Sequence, residues 1–433
     1  MSTDLHEAEI ATAAKRRYDV VGFLGAGFGL GVAARNTIRA LESAGRLGKA
    51  IRIEPPSPRW FGRRYAEQAL DEGRRLARRW LRQGGRDKTP SVPPAVTLFQ
   101  MNPLEIAHFK SQWRDAVDPS APIVCVPFWE MPLVPEAWTP VLQVMDFIMA
   151  PTRFVQEACS LVLPSSRVLH YPQAVFLPEM VRPARDRWGL SSRTTVFAVS
   201  FDVGSDIERK NPYASVEAFR RAFPSEADVE LVIKMKPWPQ SAAYRAQAES
   251  LRRMIGADRR VRVIEQSLGY VEVLELYASC DVMLSLHRSE GLGLHLMEAM
   301  SLAKVVVGTN WSGNVHYMTS GNSVPDGYRL IPVATRHAHY GEEVGRPGQV
   351  WAEPEVGEAA RAMARLHSHP EERRVLGAMA ARDMEARRKQ MLSGAAYEDL
   401  ERALALAPAA RAGALARAAR ETRRGLQRRR RTR

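Results

Sequence analysis

The sequence predicts an α/β protein built as two doubly wound, Rossmann-like domains that face each other across a cleft. Three observations predict it. Short apolar runs at 18–24, 49–53, 95–99, 122–127, 146–150 and 167–171 alternate with helix-like segments, and a second series follows at 195–201, 229–234, 261–264, 281–286, 304–308 and 329–333. Parallel strands covered by helices on both faces have this appearance. Between the two series, Pro178 to Ser192 is polar and proline-containing and reads as a linker. The length of 433 residues exceeds what one core usually holds, and a 45% hydrophobic content suffices for two. The resulting division is a frayed N-terminus over 1–17, a first domain over 18–178, a linker over 179–193 and a second domain over 194–385. A C-terminal helix over 386–410 and an arginine-rich tail over 411–433, read as disordered, complete it.

The first domain opens with a strand over Tyr18–Leu24, a glycine-rich turn over Gly25–Gly31 and a helix over Val32–Leu41. A dinucleotide fingerprint competes for this turn but fails in detail. Counted from Gly25 its third glycine should stand at Leu30, and counted from Gly27 at Val32. Further on, Gln100-Met-Asn-Pro103 and Pro127-Phe-Trp-Glu-Met-Pro132 each follow a strand. Open sheets place their ligands at such ends, so Asn102, Trp129 and Glu130 are candidate cleft residues. Buried packing is the competing role for Trp129.

In the second domain, Thr195–Phe201 reads as a buried strand, and Pro212 suits the first position of a helix carrying Val216, Phe219, Ala222 and Phe223 at helical spacing. Arg209 and Lys210 stand just before that helix. Two fixed cations there can neutralise a diphosphate, although an exposed charged loop is the commoner fate of such a pair. The most informative stretch is Ser285-Leu-His-Arg-Ser-Glu-Gly-Leu-Gly-Leu-His-Leu-Met-Glu-Ala-Met300. A strand that ends in a glycine turn at a helix start leaves backbone N–H groups free, and these attract an anion. Glu290 falls at the mouth of that turn and Glu298 about one turn inside the helix. A ligand with an anionic centre and hydroxyls around it suits both, and a nucleotide sugar has that form.

This stretch resembles the Glu-x7-Glu signature of retaining glycosyltransferases of family 4. The likeness continues through Lys304-Val-Val-Val-Gly-Thr-Asn-Trp-Ser-Gly-Asn314, Trp351-Ala-Glu-Pro354, Ala33-Ala-Arg-Asn36 and Ala150-Pro-Thr-Arg-Phe-Val155. The resemblance implies the GT-B fold, with the second domain holding a UDP- or GDP-linked sugar and the first presenting an acceptor hydroxyl on a glycan or glycolipid. It assigns Glu290 to the donor sugar hydroxyls, the amides of Gly291, Leu292, Gly293 and Leu294 to the diphosphate, and Glu298 to the ribose. Gly27 and Gly29 then approach the donor phosphate or the acceptor from across the cleft, and Asn102, Trp129 and Glu130 line the acceptor side. In the family the Arg and the Lys are separated by several residues, whereas Arg209 and Lys210 are adjacent. The resemblance also implies retention at the anomeric carbon, with the departing phosphate taking the acceptor proton and Glu290 orienting the sugar. No metal is expected: no Asp-x-Asp stands at a strand end, the histidines lack ligand spacing, and Arg209, Lys210 and the helix amides can offset the leaving group.

The net charge of +14 has two foci. Ten arginines against Glu421 lie between Arg411 and Arg433, and residues 59–88 mix Trp60, Phe61, Tyr65 and Trp80 with arginines at near-helical spacing. A basic amphipathic helix of this kind can rest on an anionic membrane, at about 1 kcal/mol per basic residue, or pack its aromatics on the first sheet. Three cysteines without a Cys-x-x-Cys pair support neither a disulfide framework nor a thiolate metal site. With no spanning run of ~20 apolar residues and no signal-peptide core, the expected location is the cytoplasm, with peripheral contact at the inner membrane face left open. Two other function classes compete. A nucleotide-sugar epimerase or hydrolase would share the two domains, and nucleic-acid binding would rest on the basic tail alone; neither accounts for the paired glutamates, and no nucleic-acid partner is expected.

Overall fold

The computed structural model describes residues 16–55, 95–237, 242–333 and 347–406. The N-terminal residues 1–15, the basic segment 59–88, His337, His339 and the tail 411–433 lie outside the described residues. Two parallel six-stranded sheets form the body of the molecule. The first, in the order β2-β1-β3-β4-β5-β6, joins Tyr18–Gly22 (β1), Leu47–Arg52 (β2), Val96–Gln100 (β3), Ile123–Cys125 (β4), Phe147–Ala150 (β5) and Val168–His170 (β6). The second runs β12-β11-β10-β7-β8-β9. It is built from Thr195–Asp202 (β7), Val229–Lys236 (β8), Val261–Glu265 (β9), Val282–Ser285 (β10), Val305–Thr309 (β11) and Val324–Asp326 (β12). The architecture is the α/β pair of Rossmann-like domains that the sequence predicts.

The inner strands of each sheet are buried on both faces, with consecutive residues pointing to opposite sides. In β1, Tyr18 and Val20 join one core with Leu98, Val124 and Phe147, while Val21 joins the other with Phe99, Cys125 and Ile148. Phe197, Leu231 and Val282 divide from Val196, Val232 and Met283 in the same way across the second sheet. The three cysteines are buried free thiols, and burial pushes Cys159 and Cys280 up to about 12, so neither is a reactive thiolate at neutral pH. Among the described residues no helix is long and apolar enough to cross a membrane.

Three features differ from the sequence reading. The run 329–333 is not the sixth strand of the second sheet; Tyr328–Pro332 (β13) pairs antiparallel with Val350–Pro354 (β14) as a separate hairpin, and Val324–Asp326 takes the edge of the sheet instead. The Tyr-Arg-Leu-Ile-Pro run contains a charge and stays largely exposed, which suits a hairpin better than a covered strand. The helix after the glycine-rich turn begins at Gly29 rather than Val32. Gly31 permits this, since a Cβ there would lie 2.4 Å from the Ala26 carbonyl oxygen.

Third, the chain returns to the first domain at its end. Helix Pro370–Ser393 is continuous through residue 385; Ala380 and Met384 pack with Met297 and Met300 of the second domain, while Met391 packs beside Tyr18 and Tyr171 of the first. Helix Ala395–Leu406 completes the return, with the Tyr18 hydroxyl donating to Glu401 (2.9 Å) and Arg46 pairing with the same carboxylate (2.5 Å). The segment read as the interdomain linker packs Val181 and Leu190 on the second domain and pairs Arg185 with Asp281 at 2.6 Å.

Candidate active site

The carboxyl ends of both sheets meet at the turn between β10 and helix Leu294–Ser301. The turn's carbonyls are all engaged. Gly313 N donates to Glu290 O (2.7 Å), the Thr152 hydroxyl to Gly291 O (2.9 Å), and the Tyr317 hydroxyl to Leu292 O and Gly293 O (2.6 and 2.9 Å). The Glu290 amide donates to Ser312 Oγ at 2.8 Å. In contrast, the amides of Leu292, Gly293, Leu294 and His295 find no acceptor among the described residues. Gly293 supports this shape: its φ of 76° is the left-handed conformation that turns the strand's exit into a helix start with its N–H groups outward.

Glu290 is nearly inaccessible and sits in a nest of cations. Lys210 Nζ bonds one carboxylate oxygen, and Arg209 lies 3.4 Å from the other and 3.6 Å from Glu130. Burial alone would raise the Glu290 carboxyl, but Lys210 and then Arg209 outweigh it and hold it well below the usual carboxylate range. Arg209 is itself fixed by donating to Ser289 O and Ser205 O, both at 2.8 Å. The pair stands on a short helix, Ile207–Lys210, bounded by Asp206 (φ 79°) and Asn211 (φ 49°). Ser312, which holds the Glu290 amide, has φ 75°. Non-glycine residues in this region each carry strain of about 1 kcal/mol or more, and three of the four among the described residues surround Glu290.

Glu298 lies on the other side of the same helix start. It faces Tyr270 and Lys234, and burial raises its carboxyl to about 8. Arg35 reaches toward Tyr270 from the first domain while donating to Leu24 O and Ala26 O (2.9 and 2.7 Å), which ties the glycine-rich loop to this side of the cleft. Gly27 and Gly29 are exposed in that loop, with open space where a Cβ would stand.

The first domain meets the turn directly. A Cβ on Gly291 would lie 2.6 Å from the Trp129 carbonyl oxygen, and the Ser289 hydroxyl donates to Glu130 O. The Trp129 indole itself is buried against Trp138 (4.9 Å) with its N–H on Leu133 O, so the side chain packs and its backbone faces the turn. Asn102 joins two strand ends, its side-chain oxygen accepting the Phe128 amide at 2.8 Å. Hairpin β13–β14 closes another side. Arg288 donates to Glu353 (2.8 Å) and lies over Trp351, which is where the Trp351–Pro354 stretch acquires its place.

Several residues at this turn carry no sequence signal of their own. Thr152, Ser289, Ser312 and Tyr317 act through hydrogen bonds to distant backbone, and such pairings follow no periodicity. His287 is wedged between Ser285 Oγ and Asn314 Oδ1, both at 3.0 Å, while the Asn314 amide donates to Thr309 O. His287 therefore carries its proton on Nε2. His295 lies beside Lys210 and Glu290, and burial followed by Lys210 lowers it to about 3, so it is neutral near pH 7. Among the described residues no group of three or more His, Cys, Asp or Glu is placed to hold a metal ion.

Residues 197–383 match the family model described as glycosyl transferases group 1. No curated protein matches the chain. Solved structures share the fold at low identity. The sucrose-phosphate synthase of Thermosynechococcus elongatus has a TM-score of 0.60 at 15% identity, over 90% of this chain and 100% of its own. An α,α-trehalose-phosphate synthase (UDP-forming) of Burkholderia vietnamiensis gives 0.61 at 13%, over 92% and 99%. Anabaena HepE, solved in complex with UDP and glucose, gives 0.59 at 13%, over 88% and 99%. The second domain thus carries a region similar to the glycosyl transferases group 1 family, within a chain that shares the fold of these solved structures.

Proposed function

We propose that the chain is a retaining hexosyltransferase that moves a sugar from a UDP- or GDP-linked donor to a hydroxyl of a glycan, glycolipid or related acceptor. The observation that carries this reading is the row of free amides at Leu292–His295, set beside Lys210 and the buried Arg209 and Glu290 in the interdomain cleft. Amides at a helix start and two fixed cations are suited to a pyrophosphate, and they stabilise it most as the charge of the leaving group grows. In this reading Gly291–Leu294 hold the diphosphate through backbone N–H, Arg209 and Lys210 offset its charge, and Glu290 receives the donor sugar hydroxyls. Glu298 receives the ribose, and the domain boundary follows the expected division at 179–193.

The acceptor hydroxyl enters from the first domain past Gly27, Gly29, Asn102 and Glu130, and the departing phosphate takes its proton. Glu290, tied to two cations, is a poor proton acceptor and suits orientation instead. Anomeric analysis of the product by proton NMR tests the stereochemical claim. An α-linked product from an α-linked donor is expected, and inversion would overturn it.

Glu298 supplies a pH prediction. Its carboxyl is raised to about 8 and so is mostly protonated at pH 7 before the nucleotide arrives. Hydroxyl donors on a ribose favour the carboxylate, so binding lowers this value and releases a proton. Nucleoside diphosphate affinity is therefore expected to rise with pH and to level off above about 8, by at most tenfold per pH unit. Calorimetry in two buffers of different ionisation enthalpy counts the proton, and Glu298→Gln should abolish the release.

A further inference from the structure

A second polar cluster lies on the floor of the cleft, beside the turn but outside the roles assigned above. His170 ends β6 and Arg153 begins helix Arg153–Ser160 after β5, both at the carboxyl edge of the first sheet. His316 closes the turn Ser312–His316 after β11 in the second domain, and its ring centroid is 6.1 Å from that of His170. Arg387 reaches in from the crossing helix, donating through Nε to Gln173 O at 2.7 Å. Its guanidinium lies 5.8 Å from the ring of Tyr317, the residue that holds the Leu292 and Gly293 carbonyls. Arg153 adjoins Thr152, which holds the Gly291 carbonyl. The cluster therefore borders the turn from the side of the first domain.

Four basic groups converge here, and no carboxylate among the described residues pairs with Arg153 or Arg387. Four polar atoms at this place are buried without a hydrogen-bond partner: His170 Nε2, both polar atoms of the Gln173 amide, and one terminal nitrogen of Arg387. Gln173 is 1% exposed. Buried groups of this kind are ordinarily satisfied, and leaving one unsatisfied costs about 1–3 kcal/mol, so a cluster of them calls for a ligand. Three of the atoms can donate, and the Gln173 oxygen accepts. An anionic group with a hydroxyl beside it meets both needs.

We propose that Arg153, His170, His316 and Arg387, with Gln173 behind them, form a subsite for a phosphate or carboxylate carried by the acceptor sugar or polyol. The assignment rests on the transfer reading given above and adds the chemical class of the acceptor to it. Burial first, then Arg387 and Arg153, hold both imidazoles down, His170 to about 4, with His316 also acting on His170. A bound anion offsets the arginines and raises both imidazoles, so binding takes up protons and strengthens as pH falls.

The test is a calorimetric titration of the full chain with the better-binding nucleoside diphosphate, UDP or GDP, held at saturation so that the donor site is filled. Sulfate, whose charge is constant over the range, is titrated at pH 6 and pH 8. Glucose 6-phosphate, glucuronate and glucose are then compared at one pH. Sulfate is expected to bind more tightly at pH 6, and one of the two anionic sugars to bind about tenfold or more above glucose. Which of the two binds tells phosphate from carboxylate. Arg153→Ala and His316→Asn, neither of which removes an observed backbone tie, should each weaken sulfate about tenfold without changing nucleotide affinity. Normal nucleotide binding with no anion binding, or with anion affinity unchanged in both variants, overturns the subsite alone. Failure of both nucleotides to bind overturns the donor reading instead.

Discussion

Glu290→Ala is expected to reduce sugar transfer by about two to three orders of magnitude, the usual cost of deleting one preorganised electrostatic group. Its carboxylate is nearly inaccessible, bonded to Lys210 and 3.4 Å from Arg209. Removing it also leaves Lys210 beside Arg209 without the carboxylate that offsets both. Breaking a buried pair typically costs about 3–5 kcal/mol, because an uncompensated charge stays behind. Arg209 keeps Glu130 and two carbonyls, so the lower end of that range is expected. The pH dependence follows from the depressed carboxyl. Its stabilisation is fully present above the ordinary carboxylate value near 4.5 and fades only as pH falls through the much lower folded value. The difference in melting temperature between wild type and Glu290→Ala should therefore be constant from pH 6 to 8 and shrink in strong acid. Glu290→Gln keeps the volume and removes the charge, which separates packing from electrostatics. Unchanged turnover and donor affinity in Glu290→Ala would remove this residue from the reaction.

The second large effect is steric. In Gly313→Ala the new Cβ would stand 2.2 Å from Gly291 O, 2.5 Å from its carbonyl carbon and 2.7 Å from Glu290 O. All three are backbone atoms and cannot swing aside, and the Gly313 amide is already committed to Glu290 O. The whole Glu290 turn must shift, at a stability cost of about 1–3 kcal/mol or more, and a displacement near 1 Å at a reacting centre can cost about a hundredfold in rate. Gly291→Ala makes the informative contrast. Its Cβ would meet the Trp129 backbone at 2.6 to 3.1 Å, across the domain boundary rather than within one domain. Melting temperature and nucleoside diphosphate affinity should then stay close to wild type while turnover falls about a hundredfold, because the two halves no longer meet. A Gly291→Ala protein with full turnover would show that contact at this point is dispensable.

How much of this the sequence discloses depends on the kind of interaction. Thr195–Phe201 and Val305–Val307 are legible because a strand covered on both faces is apolar at most positions. Val324–Asp326 is not, since an edge strand containing Pro325 and Asp326 carries little apolar signal, and Tyr328–Pro332 attracts the assignment in its place. Glu290, Arg209 and Lys210 stand out as residue types at strand and helix ends, and the structure brings them together. Their partners do not stand out. Ser312 is 22 residues from Glu290 and Thr152 is 139 from Gly291, and each is joined by one hydrogen bond that no period encodes. The Trp129 side chain illustrates the converse. An aromatic at a strand end reads equally well as a ligand contact or as packing, and only its neighbours Trp138 and Leu133 decide for packing.

The return of the last helices to the opening domain has a mechanical consequence. Two stretches of polypeptide, near residues 174–177 and 384–391, pass between the halves, and Arg387 stands in the second of them. Two bridges define a line, and any turn of one half against the other is restricted to rotation about it. Arg387 stands on one of the two bridges, where such a rotation displaces a side chain least.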